Sequence, residues 1–512
     1  MACENSFKIS DTAEDRRGLR VGLGAPRLRM SSGFGSKSNA LSPRNLPVDS
    51  SEGAGSDRLE FWLVFAGAVL AEILLPIVDK YQSGDESGSL LAQIIWSVMY
   101  ASAGIRLFAL KRITRPLLVG SAALWLFGIF MLTSFLWSVL PKTTFVNGIE
   151  LIGTTVVGTY LVARFTLSQL LRLVALTFGT IALLSLLFVF VAPGHGRMNY
   201  GSGPWAGIYQ DKNNLGRAMS LAIMSLVALL SDSTRRKFLF ATLVLVLVGC
   251  TSLLVGSASA TALGDCVVVV AANLALIACK SKRFGIPARI VTAVSGFVAL
   301  IAYGVFGLTV DSIFGVLGRD TSLTGRSDFW PYLQQAIAAR PILGYGYNGF
   351  FGSSVGDSYL SYYVVEAGGF SPYHAHNSFL QISLDGGYVG VGLLGIVLLI
   401  SIWRGFSYLL VEHRAYAGWP LMIVVYLILG SFTETYFGNY NSIEWILFVA
   451  AILYPVRLRL DLQAVKPEEK RSGRDPQIAL PTRIAIGGRV RPSLAPSSLK
   501  APAPSDLKIR NR

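Results

Sequence analysis

Charge is scarce in this chain. Only 15% of its 512 residues are Asp, Glu, Lys or Arg, while 52% are hydrophobic; a soluble globular chain carries roughly 25% charge. Mean hydropathy is +0.52. This excludes the three soluble domains that length alone would suggest, and it excludes disorder along the whole chain. Cysteine is scarce too. Cys3, Cys250, Cys266 and Cys279 show no metal-ligand or redox spacing, so a disulfide-stapled secreted fold is excluded and they read as small buried hydrophobes. There is no Walker A loop, no DxD motif and no HExxH. A primary pump would need the first. A cation-dependent sugar-nucleotide transferase needs acidic ligands for its metal, so a metal-free, cofactor-free chemistry is expected. Histidine is limited to His195, His374, His376 and His413.

Long apolar runs are what the sequence has. Twelve stand out: 59–78, 89–109, 116–140, 145–163, 167–191, 215–231, 237–255, 262–279, 287–308, 377–403, 417–433 and 443–457. A span needs about 20 residues, fewer when short or tilted. Amides in lipid must be bonded within their own segment, so these are helices. The expected class is an all-α polytopic membrane protein of about twelve transmembrane helices, with a long outer loop containing short helices.

The net charge of +15 is a topology signal and not a nucleic-acid surface, since no basic face is interleaved with aromatics. Fifteen cations crowd one set of short loops, among them Arg106, Lys111, Arg112, Arg115, Arg164, Arg172, Arg404 and Arg414. The alternate loops are longer and hold eight. The positive-inside rule makes the first set cytoplasmic. Residues 1–58 and 458–512 are then disordered basic cytoplasmic tails, 1–58 lacking any signal-peptide core. Helices 1–9 occupy 59–308, a large periplasmic loop 309–376, and helices 10–12 occupy 377–457. Both termini are expected in the cytoplasm.

Long loops are usually functional. Within 309–376, residues 327–339 predict a short amphipathic helix capped by Thr324 or Ser327 and lying on the membrane surface through Phe329, Trp330, Leu333 and Ile337. Gly344-Tyr345-Gly346-Tyr347-Asn348-Gly349 matches GxGxxG, but no strand precedes it; Tyr345 reads as part of a turn beside a binding groove. His374 and His376 sit where the loop re-enters the membrane, and a neutral imidazole there could take a proton from a sugar hydroxyl. Two residues apart is poor zinc spacing without further ligands. Arg326, at a helix start, offers a two-pronged donor suited to a pyrophosphate, or an interfacial anchor. Lys212, Asn213 and Arg217 open another helix at the outer face, and Arg197 lies in the preceding loop. Glu72, Glu150 and Asp265 fall within or at the ends of apolar segments, with Glu72 the deepest.

These pieces combine. Thr324-Gly-Arg326 with Trp330, Arg340-Pro-Ile-Leu-Gly344-Tyr345-Gly346, His374-Ala-His376-Asn377-Ser-Phe379-Leu380, Asp385-Gly-Gly387 with Gly390, the 207–216 stretch and Ser431-Phe-Thr-Glu434 together resemble the O-antigen ligase/polymerase superfamily, in particular its exopolysaccharide polymerase (ExoQ-like) branch. The resemblance covers roughly 60–455. It implies a GT-C-like helical arrangement in a bacterial inner membrane. It also implies a glycosyltransferase that polymerises polyprenyl-diphosphate-linked oligosaccharide repeat units into exopolysaccharide at the periplasmic face. Under it, Arg326 holds the diphosphate and His376 activates the acceptor hydroxyl, with Lys212, Asn213, Arg217, Arg197, His374, Asn377, Tyr345 and Glu434 as substrate-binding candidates. Partners would be the lipid-linked oligosaccharide, membrane lipid, and export or chain-length proteins, with no nucleic acid. The alternatives are a ligase acting on lipid A-core and, further off, a flippase or transporter. One feature departs from the pattern. Where ligases of this kind carry a second arginine, this chain has 256–261 without a cation. Lys212, Arg217 or Arg197 must then supply that charge, or hydroxyls of Ser257, Ser259 and Thr261 replace it.

Overall fold

A computed structural model describes residues 54–81, 90–231, 237–279, 326–367, 371–412 and 414–471, all within one compact unit that spans 52–512. Residues 1–53 and 472–512 of the two tails expected to be disordered, the apolar segment 287–308, Thr324 and the first part of the long loop lie outside the described residues; 54–58 and 458–471 are instead helical, the latter continuing the helix Ile443–Arg471. Among the described residues the regular secondary structure is helical, joined by turns and loops, with one isolated bridge between Arg197 and Trp205.

Among the described residues, seven helices are long and apolar enough to cross a membrane, or eight if the pair Lys111–Gly120 and Ala122–Leu136, bent by 77°, makes one span. Eleven of the twelve expected segments coincide with described helices. The shortfall has local causes. Ala260–Leu276 and Tyr416–Gly430 are apolar but short. The helix Ile443–Arg471 is apolar only at its start and charged from Arg457 onward.

Two kinds of helix emerge from who covers whom. Arg58–Val78, Leu90–Ala109 and Leu239–Gly256 keep most of their apolar surface uncovered, with Ile105, Phe108 and Leu245 each more than 70% exposed. Such a face suits lipid. The opposite extreme is the start of Ile443–Arg471, where Trp445, Leu447, Phe448, Val449 and Leu453 are wholly buried. A helix apolar all round belongs inside a bundle. It packs on Pro141–Arg164, Trp419–Gly430 and Ser378–Val411. The first contact is close because of Gly158: a Cβ there would lie 2.8 Å from Val449, and small residues let helices in lipid approach.

One end of the bundle gathers cations of the crowded loop set. Glu60 accepts from Tyr160 Oη at 2.7 Å and Arg164 Nε at 2.6 Å, with Arg106 Nε at 3.4 Å. Arg457 donates to the Phe165 carbonyl at 2.8 Å. The carboxylate of Glu60, which sequence reading passed over, ties the first apolar segment to the second, through Arg106, and to the fourth, through Tyr160 and Arg164.

A second, smaller core forms from the long loop. Phe329, Leu333, Ala336, Ile337, Tyr345, Phe350, Leu360, Tyr363, Ala375 and Leu384 cluster together. The helix expected at 327–339 is present as Arg326–Ala339, but Phe329, Leu333 and Ile337, the residues expected to face a membrane, are buried. Its apolar face is covered by protein, partly by a helix that sequence reading missed, Ser354–Glu366, capped by Ser353 accepting from the Gly356 amide at 3.0 Å.

Candidate functional site

The helix Ser378–Val411 holds the histidine pair at its start. Asn377 caps it, its Oδ1 accepting from the Phe379 and Leu380 amides at 2.9 and 3.1 Å. Asn caps well because a short carbonyl reaches back to donors that lack helical partners. The Ser378 amide donates to the Ser431 carbonyl and that of Gln381 to the Asn377 carbonyl, both at 2.9 Å. All four first-turn amides are thus occupied by protein. They cannot also cradle a phosphate, so any diphosphate at this end must be met by side-chain cations.

The helix is not continuous. Gly387 takes φ 60°, ψ −160°, a conformation open to glycine and strained for other residues. Its break lets the 341–346 segment dock: Tyr388 and Val389 amides donate to the Pro341 and Ile342 carbonyls, at 2.7 and 3.3 Å. The Tyr345 and Gly346 amides donate to the Leu384 and Asp385 carbonyls, at 2.7 and 3.0 Å. Asp385 Oδ1 accepts from the Asn348 amide at 3.0 Å and from Gln381 Nε2 at 3.1 Å. Gln381 Oε1 in turn accepts from the Ala375 amide at 3.0 Å. The two motifs Arg340-Pro-Ile-Leu-Gly344 and Asp385-Gly-Gly387 are therefore one interlocked joint, and that joint sets the backbone just before His376.

His376 itself has φ 47°, uncommon for a residue with a Cβ. Its Nδ1 lies 3.2 Å from Glu434 Oε2. Its amide donates to His374 Nδ1 at 3.1 Å, and the two imidazole rings are 3.8 Å apart. Thr435 Oγ1 is 3.5 Å from His374 Nδ1. The loop carrying Glu434 is pinned by Ser378, whose Oγ accepts from the Tyr436 amide at 2.8 Å and donates to Ser431 Oγ at 2.9 Å. His374, His376 and Glu434 thereby present ligand atoms all within 4.8 Å of one another.

The loop helix approaches from the other side. Trp330 Nε1 donates to the Ala375 carbonyl at 3.0 Å, and the Phe329 ring is 6.5 Å from that of His376. Position 326 opens this helix one turn earlier. The Arg326 side chain lies outside the described residues.

The remaining candidates divide. Arg217 Nε pairs with Glu444 Oε1 at 2.7 Å and its guanidinium lies over the Tyr436 ring at 5.6 Å. It thus shares the 431–437 loop with His376. Glu444 was not foreseen; a carboxylate opening the last apolar segment was the available signal. Lys212 begins the same helix as Arg217, and Asn213 Oδ1 accepts from Ser259 Oγ at 3.2 Å. The hydroxyl stretch 256–261 therefore packs beside the 212–217 cations. Arg197 is tied into its own loop, donating to the Val189 carbonyl at 3.2 Å and flanked by Phe190 and Trp205. Tyr345 is buried in the smaller core; its hydroxyl donates to the Ala336 carbonyl at 2.7 Å, and Arg340 covers its ring at 4.9 Å. Burial pushes the Tyr345 phenol well above its usual range, so it titrates at no physiological pH. The Tyr345 hydroxyl and the Asn377 side-chain amide both bond to protein backbone.

Residues 243–395, which include the histidine pair and the interlocked joint, match the family described as O-Antigen ligase (Wzy_C). The chain is also similar to the exopolysaccharide production protein ExoQ of Rhizobium meliloti (strain 1021), 27% identical over 306 residues, 57% of this chain and 67% of that protein. Both matches make the chain similar to the O-antigen ligase/polymerase superfamily, and in particular to its ExoQ-like side.

Proposed function

We propose that this protein is an inner-membrane glycosyltransferase, with the crowded cation loops cytoplasmic and the histidine pair periplasmic, that polymerises polyprenyl-diphosphate-linked repeat units without a metal. The observation that carries the reading is the His376–Glu434 contact beside the start of the Arg326–Ala339 helix. With Nδ1–H held by the carboxylate, Nε2 is the basic nitrogen. An acceptor hydroxyl gives its proton to Nε2, its oxygen bonds to the anomeric carbon, and the bond to the diphosphate breaks. The carboxylate steadies the imidazolium that results. The leaving diphosphate needs fixed positive charge. Arg326 is assigned that role, with Lys212 and the Arg217 region supplying the second charge that 256–261 lacks.

Positive-inside asymmetry supports the orientation, and the ExoQ relative, an exopolysaccharide production protein, supports polymerisation. The family description, O-Antigen ligase, favours a second reading in which the acceptor is lipid A-core. Lipid-linked intermediates in a deletion strain separate the two. Loss of a polymerase leaves single repeat units on the carrier. Loss of a ligase leaves long chains on it, which would overturn the first reading.

A further inference from the structure

We propose that His374, His376 and Glu434 form a binding site for a divalent cation of the zinc class, and that a bound cation silences the site. Two imidazoles and one carboxylate make up a three-ligand set with an open fourth position, a donor set that zinc accepts readily. The geometry is close to complete. Zinc-bound nitrogen and oxygen atoms sit about 2.0–2.2 Å from the metal, which in a tetrahedron places them roughly 3.3 Å apart. His376 Nδ1 and Glu434 Oε2 are already 3.2 Å apart, and one ligand atom from each of His374, His376 and Glu434 lies within 4.8 Å of the other two. Because His374 Nδ1 accepts the His376 amide, coordination by His374 would be through Nε2. The amide bond to Nδ1 then plays the orienting part that second partners play for ligating histidines.

The three side chains converge from a tight geometry that sequence spacing conceals. His374 and His376 are two residues apart, yet the left-handed backbone at His376 and the short ring separation bring both to one place. Glu434 arrives from a loop some sixty residues later, fixed by Ser378 and Ser431. Coordination replaces the His376–Glu434 hydrogen bond and takes lone pairs from both groups. The consequence for activity rests on the reading of His376 as base: with the metal bound, neither the imidazole nor its carboxylate can serve an acceptor hydroxyl.

The test uses the full-length, tag-free protein in detergent, stripped of metal with a chelator. Cobalt(II) is titrated while its visible absorption is followed, and zinc then displaces it. The expected result is one cation per chain with the intense bands of low-coordinate cobalt. Affinity should fall in His374→Ala and in Glu434→Gln by at least the roughly 10–100-fold that losing a mere supporting partner of a ligand costs. A variant-free arm guards against misfolding: zinc should protect two histidines of the wild type from diethylpyrocarbonate. Absence of stoichiometric binding, unchanged affinity in both variants, or no protection would overturn the site. In a parallel elongation assay zinc should suppress activity over the same concentration range, and chelator should restore it. Binding with undiminished elongation would overturn the silencing, and the role of His376 as base with it, while leaving the metal site standing.

Discussion

Nδ1 of His376 lies 3.2 Å from Oε2 of Glu434, across 58 positions of sequence. That contact joins the helix that begins at Ser378 to the loop that leaves Gly430, and it explains why two short motifs so far apart belong to one site. A carboxylate so placed fixes which imidazole nitrogen is basic. Glu434→Gln should keep the fold and lower elongation about 10²-fold, the scale expected when a reacting group loses its orientation. His376→Ala should cost about 10²–10⁴-fold. Initial rates at saturating lipid-linked donor check both. Equal rates in wild type and Glu434→Gln would remove the carboxylate from the mechanism.

The break at Gly387 offers a stability test with an internal control. An added Cβ would lie 2.3 Å from the Ile342 carbonyl carbon at a backbone φ of 60°. Gly387→Ala should therefore destabilise the protein by about 1–3 kcal/mol and loosen the joint behind the histidine pair. Gly395, in the same helix, has nothing within 4 Å of a Cβ; Gly395→Ala should be neutral or stabilising by about 0.5–1 kcal/mol. Thermal unfolding in detergent compares them. A Gly387→Ala protein as stable as wild type would mean that the joint relaxes freely.

Arg217 and Glu444 form a largely buried pair at 2.7 Å. Breaking it should be worse than removing it. Arg217→Met alone leaves a buried carboxylate unpaired and should cost about 3–5 kcal/mol, while Arg217→Met with Glu444→Leu should recover most of that loss. If the double variant is stable but elongates poorly, Arg217 acts on substrate as well as on the fold. If it is stable and fully active, the second positive charge comes from elsewhere, with Lys212 next in line.

Much of the fold was legible because hydrophobic run length is a strong signal in lipid. The segments 145–163, 167–191 and 237–255 appear as helices with nearly those bounds. What was missed depends on contacts between distant residues. The 327–339 helix was expected on a membrane surface because amphipathicity reports only that one face is covered, not by what. Its cover includes Ser354–Glu366, a mixed run of serines and tyrosines with no clear helical periodicity. At the site, His374, His376 and Glu434 were each singled out in the sequence, and the structure brings them together. Tyr345 and Asn377 were also singled out, yet their polar atoms serve the Ala336 carbonyl and the start of the Ser378–Val411 helix. Residue type alone cannot say whether a polar group faces a ligand or its own backbone. Glu60 and Glu444 escaped notice because a carboxylate at the edge of an apolar run looks like an ordinary boundary.

The assignment of Arg326 predicts that charge is not enough. A lysine keeps the positive charge but loses the fork that meets two oxygens of a diphosphate at once. Arg326→Lys should leave the protein in the membrane and fail to elongate, with single repeat units accumulating on the lipid carrier in cells. Normal polymer from Arg326→Lys would reduce this residue to a general electrostatic role.

The central claim is tested most directly by elongation with purified components: the protein in detergent, lipid-linked repeat units as donor and acceptor, chelator present, and no ion gradient. The wild type should build a ladder of longer lipid-linked chains, and Arg326→Ala and His376→Ala should each leave the starting material unchanged. Failure of the wild type to lengthen the substrate, or a normal ladder from either variant, would contradict the account.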